Sequence, residues 1–464
     1  MRIPPCRSTM FVSINPATGQ PFASHPSHDA PAARDVLNAC AKAFPAWRDT
    51  PLATRLEALN RLAGLFEARL APLSRLAVRE MGKILPEAEA EVLRCARACR
   101  FYARQAPRYL AGETFPSETG RRMVVLEPLG VILAVMPWNF PYWQIIRAAA
   151  PILAAGNVLV VKPAPNVMSV AEALRELFEE AGFPDGTFRL LRVEEGLVAE
   201  AIAHPAVRGV TLTGSARAGA AVGAAAGAAI KKAVMELGGS DPFIVLADAV
   251  LEDCCTAAET ARMRACGQAC IAAKRFIVEA PLHAAFIDRL AKRLAAHVPG
   301  DPLDPGTTVG PLAREDLLEN LERQVRESVA AGARLLLGGK RLPRPGYFYA
   351  PTLLADVRPG MPAFDEELFG PVAAVVEAAD AEDAVRLANA SPYGLGASVW
   401  TADTARGLAI ARRIEAGMVS VNAVPRSDFR LPFGGVKRSG YGRELSRFGL
   451  TEFCNIKTLV VEDA

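Results

Sequence analysis

The sequence has little of several features that would place it in other classes of protein. Its 53 basic residues are nearly balanced by 50 acidic ones, which leaves a formal net charge of +3. No block of lysine or arginine concentrates that charge, so we expect no binding to nucleic acid or to an anionic membrane. The longest apolar stretches, such as 148–161, are interrupted by Pro151 and Gly156 and are too short to cross a bilayer. Residues 1–20 contain no continuous apolar segment of a signal peptide, so a cytoplasmic location is expected.

Histidines and metal-binding cysteine patterns are also scarce. The chain has five histidines, and none lies in a glycine-rich turn near a strand end, where a cysteine protease would need its base. The nine cysteines are odd in number, and no two have the C-x-x-C spacing of a zinc site. This pattern indicates a reducing compartment and no metal centre.

At 464 residues the chain is too long for one hydrophobic core, and its zones differ in pattern. Residues 30–110 repeat apolar positions at spacings of three and four, which predicts helices. Short strands alternate with helices over 130–239 and again beyond 239, which predicts two α/β units with parallel sheets. The individual predictions are strands at 131–136, 157–161, 210–213, 242–246, 275–278 and 418–421, helices at 169–181, 216–229, 251–263 and 283–296, and short β-rich runs at 121–127 and 458–461.

One cysteine lies in a setting that differs from the other eight. Cys270 ends the segment 267–270, GQAC, which follows a predicted helix and precedes a predicted strand. A cysteine in such a turn can be exposed at a domain boundary, and its thiolate is a nucleophile when a base or a positive charge lowers the thiol pKa. We therefore predict Cys270 as a nucleophile, with a buried structural cysteine as the alternative.

Glu236 is the candidate base for that nucleophile. It lies between apolar residues in the segment 235–239, MELGG. Apolar surroundings raise the pKa of a carboxyl group towards neutrality, which suits a general base. The glycine pair lets the side chain swing or a ligand approach. An ordinary acid at a helix end is the alternative.

Three predicted strand ends have groups that suit a phosphate, a ribose or an oxyanion. Gly214 and Ser215, with Gly219, open an alanine-rich helix whose N-terminus can bind phosphate, although a lone glycine turn is a weak signal. Lys162 can reach ribose hydroxyls at the carboxyl edge of a sheet, or it is a lysine that extends to solvent from that edge. The Asn139 amide can donate to an oxyanion, or it forms an Asx turn.

Together these segments resemble the aldehyde dehydrogenase superfamily from about residue 14 to the C-terminus. Seven motifs occur in the order of that family, and 236–245 and 434–455 are most similar to bacterial NAD(P)-dependent succinate-semialdehyde dehydrogenases. The motifs are PWNFP at 137–141, VKP at 161–163, TGS at 213–215, ELGG at 236–239, GQAC at 267–270, ELFGP at 367–371 and PFGG at 432–435.

The resemblance implies an α/β fold with a Rossmann-type cofactor domain, an α/β catalytic domain and a small β extension. The expected cofactor domain covers 1–115 and 129–238, and the catalytic domain covers 239–435. The β extension covers 116–128 and 451–464, and 436–450 returns to the cofactor domain. Because that extension would pair with another subunit, a homodimer or homotetramer is expected.

The same resemblance implies a role for each matched residue. Cys270 would attack the aldehyde, Glu236 would activate the water that releases the acid, and Asn139 with the Cys270 N–H would hold the oxyanion. Lys162 would bind the adenosine ribose of NAD or NADP, Glu367 the nicotinamide ribose, and Ser215 the pyrophosphate. Phe369 would pack near the nicotinamide. The full set of expected cofactor-binding residues is Trp138, Lys162, Gly214, Ser215, Gly219, Leu237, Glu367 and Phe369.

Three positions depart from the family pattern. Pro165 stands where an acid often binds the adenosine ribose, and losing that acid removes repulsion against a 2′-phosphate, so NADP is expected to be accepted as well as NAD. Ala265 stands where many relatives have asparagine. Cys266 precedes the nucleophile by four residues and is either an inert buried residue or a redox partner of Cys270.

The expected substrate is succinate semialdehyde, whose distal carboxylate needs a cationic or polar partner. Arg147, Arg426, Ser427 and Arg430 are candidates, and Arg147 and Ser427 are preferred. Ion pairing at the domain interface is the alternative role for the arginines. Two other functions stay open: a CoA-acylating semialdehyde dehydrogenase, which would not need Glu236, and a catalytically silent binding relative.

Overall fold

The computed structural model describes residues 10–462, so the predicted domain stretches 1–9 and 463–464 lie outside the described residues. The helices are α1 (Ala30–Asp49), α2 (Leu52–Ala68), α3 (Leu70–Met81), α4 (Leu85–Tyr109), α5 (Pro141–Ala154), α6 (Met168–Glu180), α7 (Val198–Ala203), α8 (Ala216–Ala228), α9 (Leu251–Met263), α10 (Ala280–Ala295), α11 (Glu315–Ala330), α12 (Pro362–Asp365), α13 (Ala381–Asn389), α14 (Thr404–Ala411) and α15 (Ser446–Thr451). The strands are β1 (Met10–Asn15), β2 (Gln20–Pro26), β3 (Glu113–Phe115), β4 (Arg121–Pro128), β5 (Val131–Val135), β6 (Val158–Lys162), β7 (Phe188–Leu190), β8 (Val207–Thr213), β9 (Lys232–Glu236), β10 (Asp241–Val245), β11 (Ala273–Glu279), β12 (Arg334–Leu337), β13 (Thr352–Ala355), β14 (Val372–Ala378), β15 (Tyr393–Gly394), β16 (Gly396–Trp400), β17 (Met418–Val421), β18 (Val436–Lys437), β19 (Gly440–Tyr441) and β20 (Cys454–Val461).

The first large sheet has the strand order β19-β9-β8-β5-β6-β7. Its strands are parallel except β19, which pairs antiparallel with β9. Every residue of β6 is buried, as expected for a parallel strand covered on both faces by helices. This sheet forms the core of the predicted cofactor domain.

The second large sheet has the order β12-β13-β14-β11-β10-β16-β17. It is parallel except at β12, which pairs antiparallel with β13. Residues 237–240 connect the last strand of the first parallel series, β9, to the first strand of this sheet, β10. The candidate base and the candidate nucleophile therefore lie on either side of a short link between two α/β halves.

A separate three-stranded antiparallel sheet has the order β20-β4-β3. β20 pairs with β4 from Cys454↔Pro128 to Val461↔Arg121, and the side chains of Ile456 and Val460 are exposed. This sheet corresponds to the predicted β extension. Within residues 10–462, no helix combines the length and the apolar character needed to cross a bilayer.

The predicted elements match the structure with small changes in their bounds. The helix at 251–263 and the strand at 418–421 have the predicted limits, whereas the strand predicted at 210–213 begins earlier, at Val207. The N-terminal hairpin of β1 and β2 was not predicted. The alternative placement of Glu236 at a helix end is wrong, because Glu236 is the last residue of strand β9.

Candidate active site

The predicted site residues come together where the two large sheets meet. Asn139 follows β5, Lys162 ends β6, Ser215 follows β8 and Glu236 ends β9, so all four lie at the carboxyl edge of the first sheet. Cys270 lies in the turn that enters β11 of the second sheet. The site is thus built by strand ends from one half and by a strand-entry turn from the other.

Cys270 differs in exposure from the other described cysteines. Cys40, Cys95, Cys99, Cys254, Cys255, Cys266 and Cys454 are buried, whereas Cys270 is half-buried. Desolvation by its surroundings raises the pKa of the Cys270 thiol to about 12, and the nearby cations Arg147 and Lys274 oppose that rise. The resting nucleophile is therefore a neutral thiol that needs a base or a shift in local charge to react.

The turn before Cys270 has an uncommon backbone. Ala265 and Cys266 have φ values of 50° and 55°, in the left-handed region that residues other than glycine rarely adopt. The carboxylate of Glu87 accepts from the Ala265 N–H at 2.8 Å and holds this conformation from helix α4. Asparagine tolerates the left-handed region better than alanine does, so the backbone at 265 suits the expected asparagine better, and nothing in the structure explains the alanine found there.

The next position, 267, requires glycine for steric reasons as well as for its backbone conformation. Its φ is 72°, and a Cβ there would lie 2.1 Å from the carbonyl oxygen of Gly370. The buried Arg262 guanidinium donates to the carbonyl of Gly267 at 2.5 Å and to that of Ala273 at 3.0 Å. These contacts fix the turn that presents the nucleophile.

The amide of Asn139 is oriented towards the nucleophile's turn. Its Nδ2 donates to the carbonyl oxygen of Gln268 at 2.9 Å, and its Oδ1 accepts from Gln144 at 3.5 Å. An amide nitrogen has two hydrogens, so one stays available for an oxyanion formed at Cys270. This geometry suits the predicted oxyanion role of Asn139.

A carboxylate on helix α4 holds the turn that contains Asn139. Oε1 of Glu91 accepts from the backbone N–H groups of Tyr142 and Trp143, both at 2.9 Å, at the start of α5. Lys83 pairs with Glu91 and lies 3.9 Å from the centre of the Phe140 ring. Buried charges of this kind are costly unless they are paired, and here both are.

Glu236 is buried and lacks a hydrogen-bond partner among the described residues. Its side chain is 2% exposed, and neither carboxylate oxygen accepts a hydrogen bond from any residue within 10–462. Burial raises the pKa of Glu236 well above its ordinary value, and the carboxyl group of Glu444 adds to the rise. A Cβ on Gly434 would lie 2.6 Å from Oε1 of Glu236, so that glycine leaves room for the carboxylate.

Arg147 is not free at the site, as direct binding of a substrate carboxylate would require. Its guanidinium is 2% exposed, forms an ion pair with Glu444 and donates to Oγ1 of Thr213 at 3.1 Å. The structure therefore favours the ion-pair alternative for Arg147 over the substrate role. Arg147 is close enough to both Cys270 and Glu236 to lower their pKa values, so it links the two electrostatically.

The residues expected to hold a dinucleotide fit that task by position. Ser215 is the N-cap of α8, and its Oγ accepts from the Ala218 N–H at 3.2 Å. Gly219, one turn later, has no room for a side chain, because a Cβ there would lie 2.5 Å from Leu237. Small residues thus leave the start of α8 open to a pyrophosphate group. Gly214 donates from its N–H to the Glu236 carbonyl at 3.0 Å, which joins this turn to the candidate base.

A lysine, a carboxylate and an aromatic pair complete the cofactor side. Burial lowers the pKa of Lys162, which is 6% exposed at the end of β6. Trp138 and Phe369 pack edge to face with ring centres 5.7 Å apart. Oε1 of Glu367 accepts from the Gly239 N–H at 3.1 Å. These residues fit NAD or NADP: they offer a cation, a carboxylate and aromatic surface where the resemblance places the two riboses and the nicotinamide.

Sequence reasoning missed several charged residues around the site. Lys274 is buried beside Cys270 and Glu367. Arg264 lies 5.6 Å from the ring centre of Phe140, and Arg94 lies 5.5 Å from that of Trp143. No motif marked them, although Lys274 and Arg264 are four residues after and six before the nucleophile. Ser427 is half-buried in the segment after β17.

Cys270 is half-buried, and the buried Glu236 carboxylate has no hydrogen-bond partner among residues 10–462. An α/β molecule with these two groups near the junction of its two sheets has the layout of an enzyme with a covalent nucleophile. A sequence model of the aldehyde dehydrogenase family matches residues 4–459. The chain is 47% identical over 449 residues to a probable succinate-semialdehyde dehydrogenase (NADP+) of Synechocystis sp., across 97% of this chain and 99% of the relative.

Two further relatives agree. The succinate semialdehyde dehydrogenase (NAD(P)+) Sad of Escherichia coli is 47% identical over 452 residues, which cover 97% of this chain and 98% of that protein. The crystal structure of the Streptococcus pyogenes succinic semialdehyde dehydrogenase in complex with NADP+ superposes with a TM-score of 0.95 at 34% identity, and covers 98% of this chain and 100% of that one. The chain belongs to the aldehyde dehydrogenase family, which confirms the predicted fold class and class of enzyme.

Proposed function

We propose that this protein oxidises succinate semialdehyde to succinate with NADP or NAD. The observation that carries the proposal is that a half-buried Cys270 and a buried Glu236 both lie near Arg147, and that Glu236 has no hydrogen-bond donor among residues 10–462. A thioester intermediate needs such a base for its hydrolysis, and transfer to CoA does not. The names of the two curated relatives above supply the substrate.

The first step is addition of Cys270 to the aldehyde. The Sγ atom forms a bond to the carbonyl carbon, the thiol proton leaves to a base, and the carbonyl oxygen becomes an oxyanion. The second Nδ2 hydrogen of Asn139 and the N–H of Cys270 are the donors proposed for that oxyanion. Because Asn139 is already held by Gln268 and Gln144, these donors need little reorganisation.

The second stage releases the acid. Lys162, Ser215 and Glu367 would hold NAD or NADP, which would supply the hydride acceptor for oxidation of the Cys270 adduct to a thioester. Glu236 takes a proton from water, the resulting hydroxide attacks the thioester carbon, and the bond from carbon to Sγ breaks. The raised pKa of Glu236 makes its carboxylate a stronger base than an exposed glutamate.

The substrate's distal carboxylate has two cationic candidates near the oxyanion site. Arg264 and Arg94 lie over Phe140 and Trp143, the neighbours of Asn139 and of the start of α5. Burial lowers the pKa of Arg94 to about 10, and the charge of Arg264 adds to the effect. Two partly desolvated guanidinium groups that repel each other are stabilised by an anion between them.

Ser427 and Arg426, in the segment after β17, are proposed as secondary contacts of the substrate carboxylate. Both precede the PFGG motif whose Gly434 borders Glu236. Arg430 is less suitable, since its guanidinium pairs with Asp428 at the surface.

The proposed assembly is a homodimer or homotetramer in the cytoplasm. Support comes from β20, an outer strand of the three-stranded sheet with the apolar side chains of Ile456 and Val460 exposed. An exposed apolar strand edge is a hazard unless another chain covers it. Gel filtration with light scattering tests this part, and a monomer would contradict it.

The deciding experiment is a substrate panel. Succinate semialdehyde and butanal, which lacks the carboxylate, are each assayed with NAD and with NADP, in the presence and absence of CoA. We expect the highest kcat/KM for succinate semialdehyde, free succinate as product and no dependence on CoA. A higher kcat/KM for butanal would contradict the substrate, and a CoA requirement would contradict the hydrolytic step.

A further inference from the structure

Lys274 is a buried cation whose contacts join the nucleophile to the cofactor side of the site. Its side chain is 0% exposed. Nζ donates to the carbonyl oxygen of Cys270 at 2.6 Å and to that of Ala269 at 3.2 Å, and lies 3.3 Å from Oε1 of Glu367. One ammonium group thus contacts both the nucleophile's backbone and the carboxylate expected to bind the nicotinamide ribose.

The contacts of Lys274 differ from those of the other buried cation beside it on β11. Burying an ammonium group costs several kcal/mol unless partners compensate. The adjacent Arg275 also has a buried side chain, but it points to the opposite face of β11 and donates to the carbonyls of Ser240, Leu387 and Ala388. Arg275 therefore anchors the second half of the molecule internally, whereas Lys274 connects to the cleft.

Glu367 is held from two sides by this arrangement. Its Oε1 accepts from the Gly239 N–H and pairs with Lys274. A Cβ on Gly238 would lie 2.2 Å from Oε2, so the link between the two sheets has no space for another side chain there. A displacement of Glu367 would therefore be transmitted through Lys274 to the turn that presents Cys270.

We propose that Lys274 is a positioning residue that couples the seating of the cofactor on Glu367 to the alignment and activation of Cys270. The proposal rests on the proposed cofactor role of Glu367. The charged groups with the largest effects on the pKa of the Cys270 thiol are Arg147 from α5, Lys274 from β11, Glu367 from the segment after α12 and Asp241 from β10. Lys274 is one of the two cations in that set, so it also favours the thiolate.

The test compares three single variants with the parent enzyme as full-length protein. Lys274→Met keeps the length of the side chain and removes the charge. Glu367→Gln removes the carboxylate that Lys274 contacts. Arg275→Met is the matched control, since it removes an adjacent buried cation that does not contact Cys270 or Glu367. Thermal melting shows that each variant is folded before it is assayed.

The first readout is the pH dependence of iodoacetamide alkylation at Cys270, which needs no substrate. We expect Lys274→Met to move the midpoint upward by about one pH unit, which slows alkylation near neutral pH roughly tenfold. Arg275→Met should lower the melting temperature and leave the midpoint unchanged. An unchanged midpoint in Lys274→Met, or the same shift in Arg275→Met, would overturn the proposal.

The second readout is a double-mutant cycle on cofactor KM. If Lys274 acts through Glu367, the Lys274→Met/Glu367→Gln double variant should have about the same cofactor KM as Glu367→Gln alone. If the rise in cofactor KM in the double variant were instead the product of the two single-variant rises, the two residues would act independently, and the proposed coupling would be overturned. A wrong substrate assignment would leave the alkylation readout unaffected, because alkylation needs no substrate, so the two failures are distinguishable.

Discussion

The two large sheets contribute to the site from opposite ends of their strands. The first sheet supplies Asn139, Lys162, Ser215 and Glu236 at or just after the carboxyl ends of β5, β6, β8 and β9. The second sheet supplies its groups before or at the amino ends of its strands, such as Cys270 and Lys274 at β11. Ligands commonly bind at the carboxyl ends of the strands in parallel sheets. The first sheet follows this rule, whereas the second sheet contributes from the amino ends of its strands.

This difference separates the tasks of the two halves. The carboxyl edge of the first sheet, called the first edge below, offers backbone N–H groups, a lysine and a carboxylate, which suit a dinucleotide and a water molecule. The amino edge of the second sheet, called the second edge below, offers a thiol held by a left-handed turn and by buried cations. Removing a group from each edge should therefore stop a different part of the reaction.

The largest expected effect is at the second edge. Cys270→Ala should reduce turnover by roughly 10⁴-fold or more, because no other described cysteine is accessible to take its place. Cys266→Ala is the matched control, four residues earlier and buried, and should keep turnover close to that of the parent. Initial rates of NADPH formation measure both, and equal losses would contradict the assignment of the nucleophile.

Removing Glu236, the base at the first edge, should stop hydrolysis of the thioester. Glu236→Gln should lower steady-state turnover by roughly 10²–10⁴-fold while one equivalent of reduced cofactor still forms in a rapid burst. In the parent, turnover should rise with pH as the raised pKa of Glu236 is passed, because only the carboxylate accepts a proton from water. Stopped-flow absorbance across a pH series checks both expectations, and a variant with neither burst nor turnover would contradict the division of tasks.

The cationic side of the second edge is tested by substrate choice. Arg264→Gln should raise KM for succinate semialdehyde by roughly tenfold to a hundredfold, since a hydrogen bond to a charged group contributes about 1.5–3 kcal/mol. KM for butanal should change little. Arg430→Gln serves as control, because its guanidinium pairs with Asp428 at the surface. Equal effects on both aldehydes would show that Arg264 supports the fold instead of binding the carboxylate.

The smallest expected effect is on cofactor choice at the first edge. Pro165→Glu should shift the ratio of kcat/KM values towards NAD and away from NADP by roughly tenfold, because the carboxylate repels a 2′-phosphate. Pro165→Gln, which is similar in size and uncharged, is the control. The same shift in both variants would contradict an electrostatic origin.

Much of the first edge could be predicted from the sequence. An apolar strand that ends in Lys162 or in Gly214 and Ser215 is a local pattern, and the carboxyl-edge rule says where such residues meet. The ELGG and GQAC segments marked Glu236 and Cys270 in the same way. These positions are read from neighbours in the chain, which is why their placement agreed with the structure.

The charged groups of the second edge could not be predicted in this way. Lys274 and Arg264 look like ordinary charged residues beside a strand and a helix, and only the folded turn brings one against Glu367 and the other over Phe140. Arg147 is a predicted substrate contact because it follows the motif that contains Asn139, whereas its ion-pair partner Glu444 lies almost 300 residues further along the chain. Contacts of such long range depend on the tertiary fold, which no local pattern encodes.

The most direct test is mass spectrometry of the Glu236→Gln variant after reaction with succinate semialdehyde and NADP. A nucleophile on one sheet and a water-activating base on the other predict a trapped succinyl thioester on the peptide that contains Cys270. An unmodified Cys270 peptide in a folded variant that has released its reduced cofactor would contradict that division.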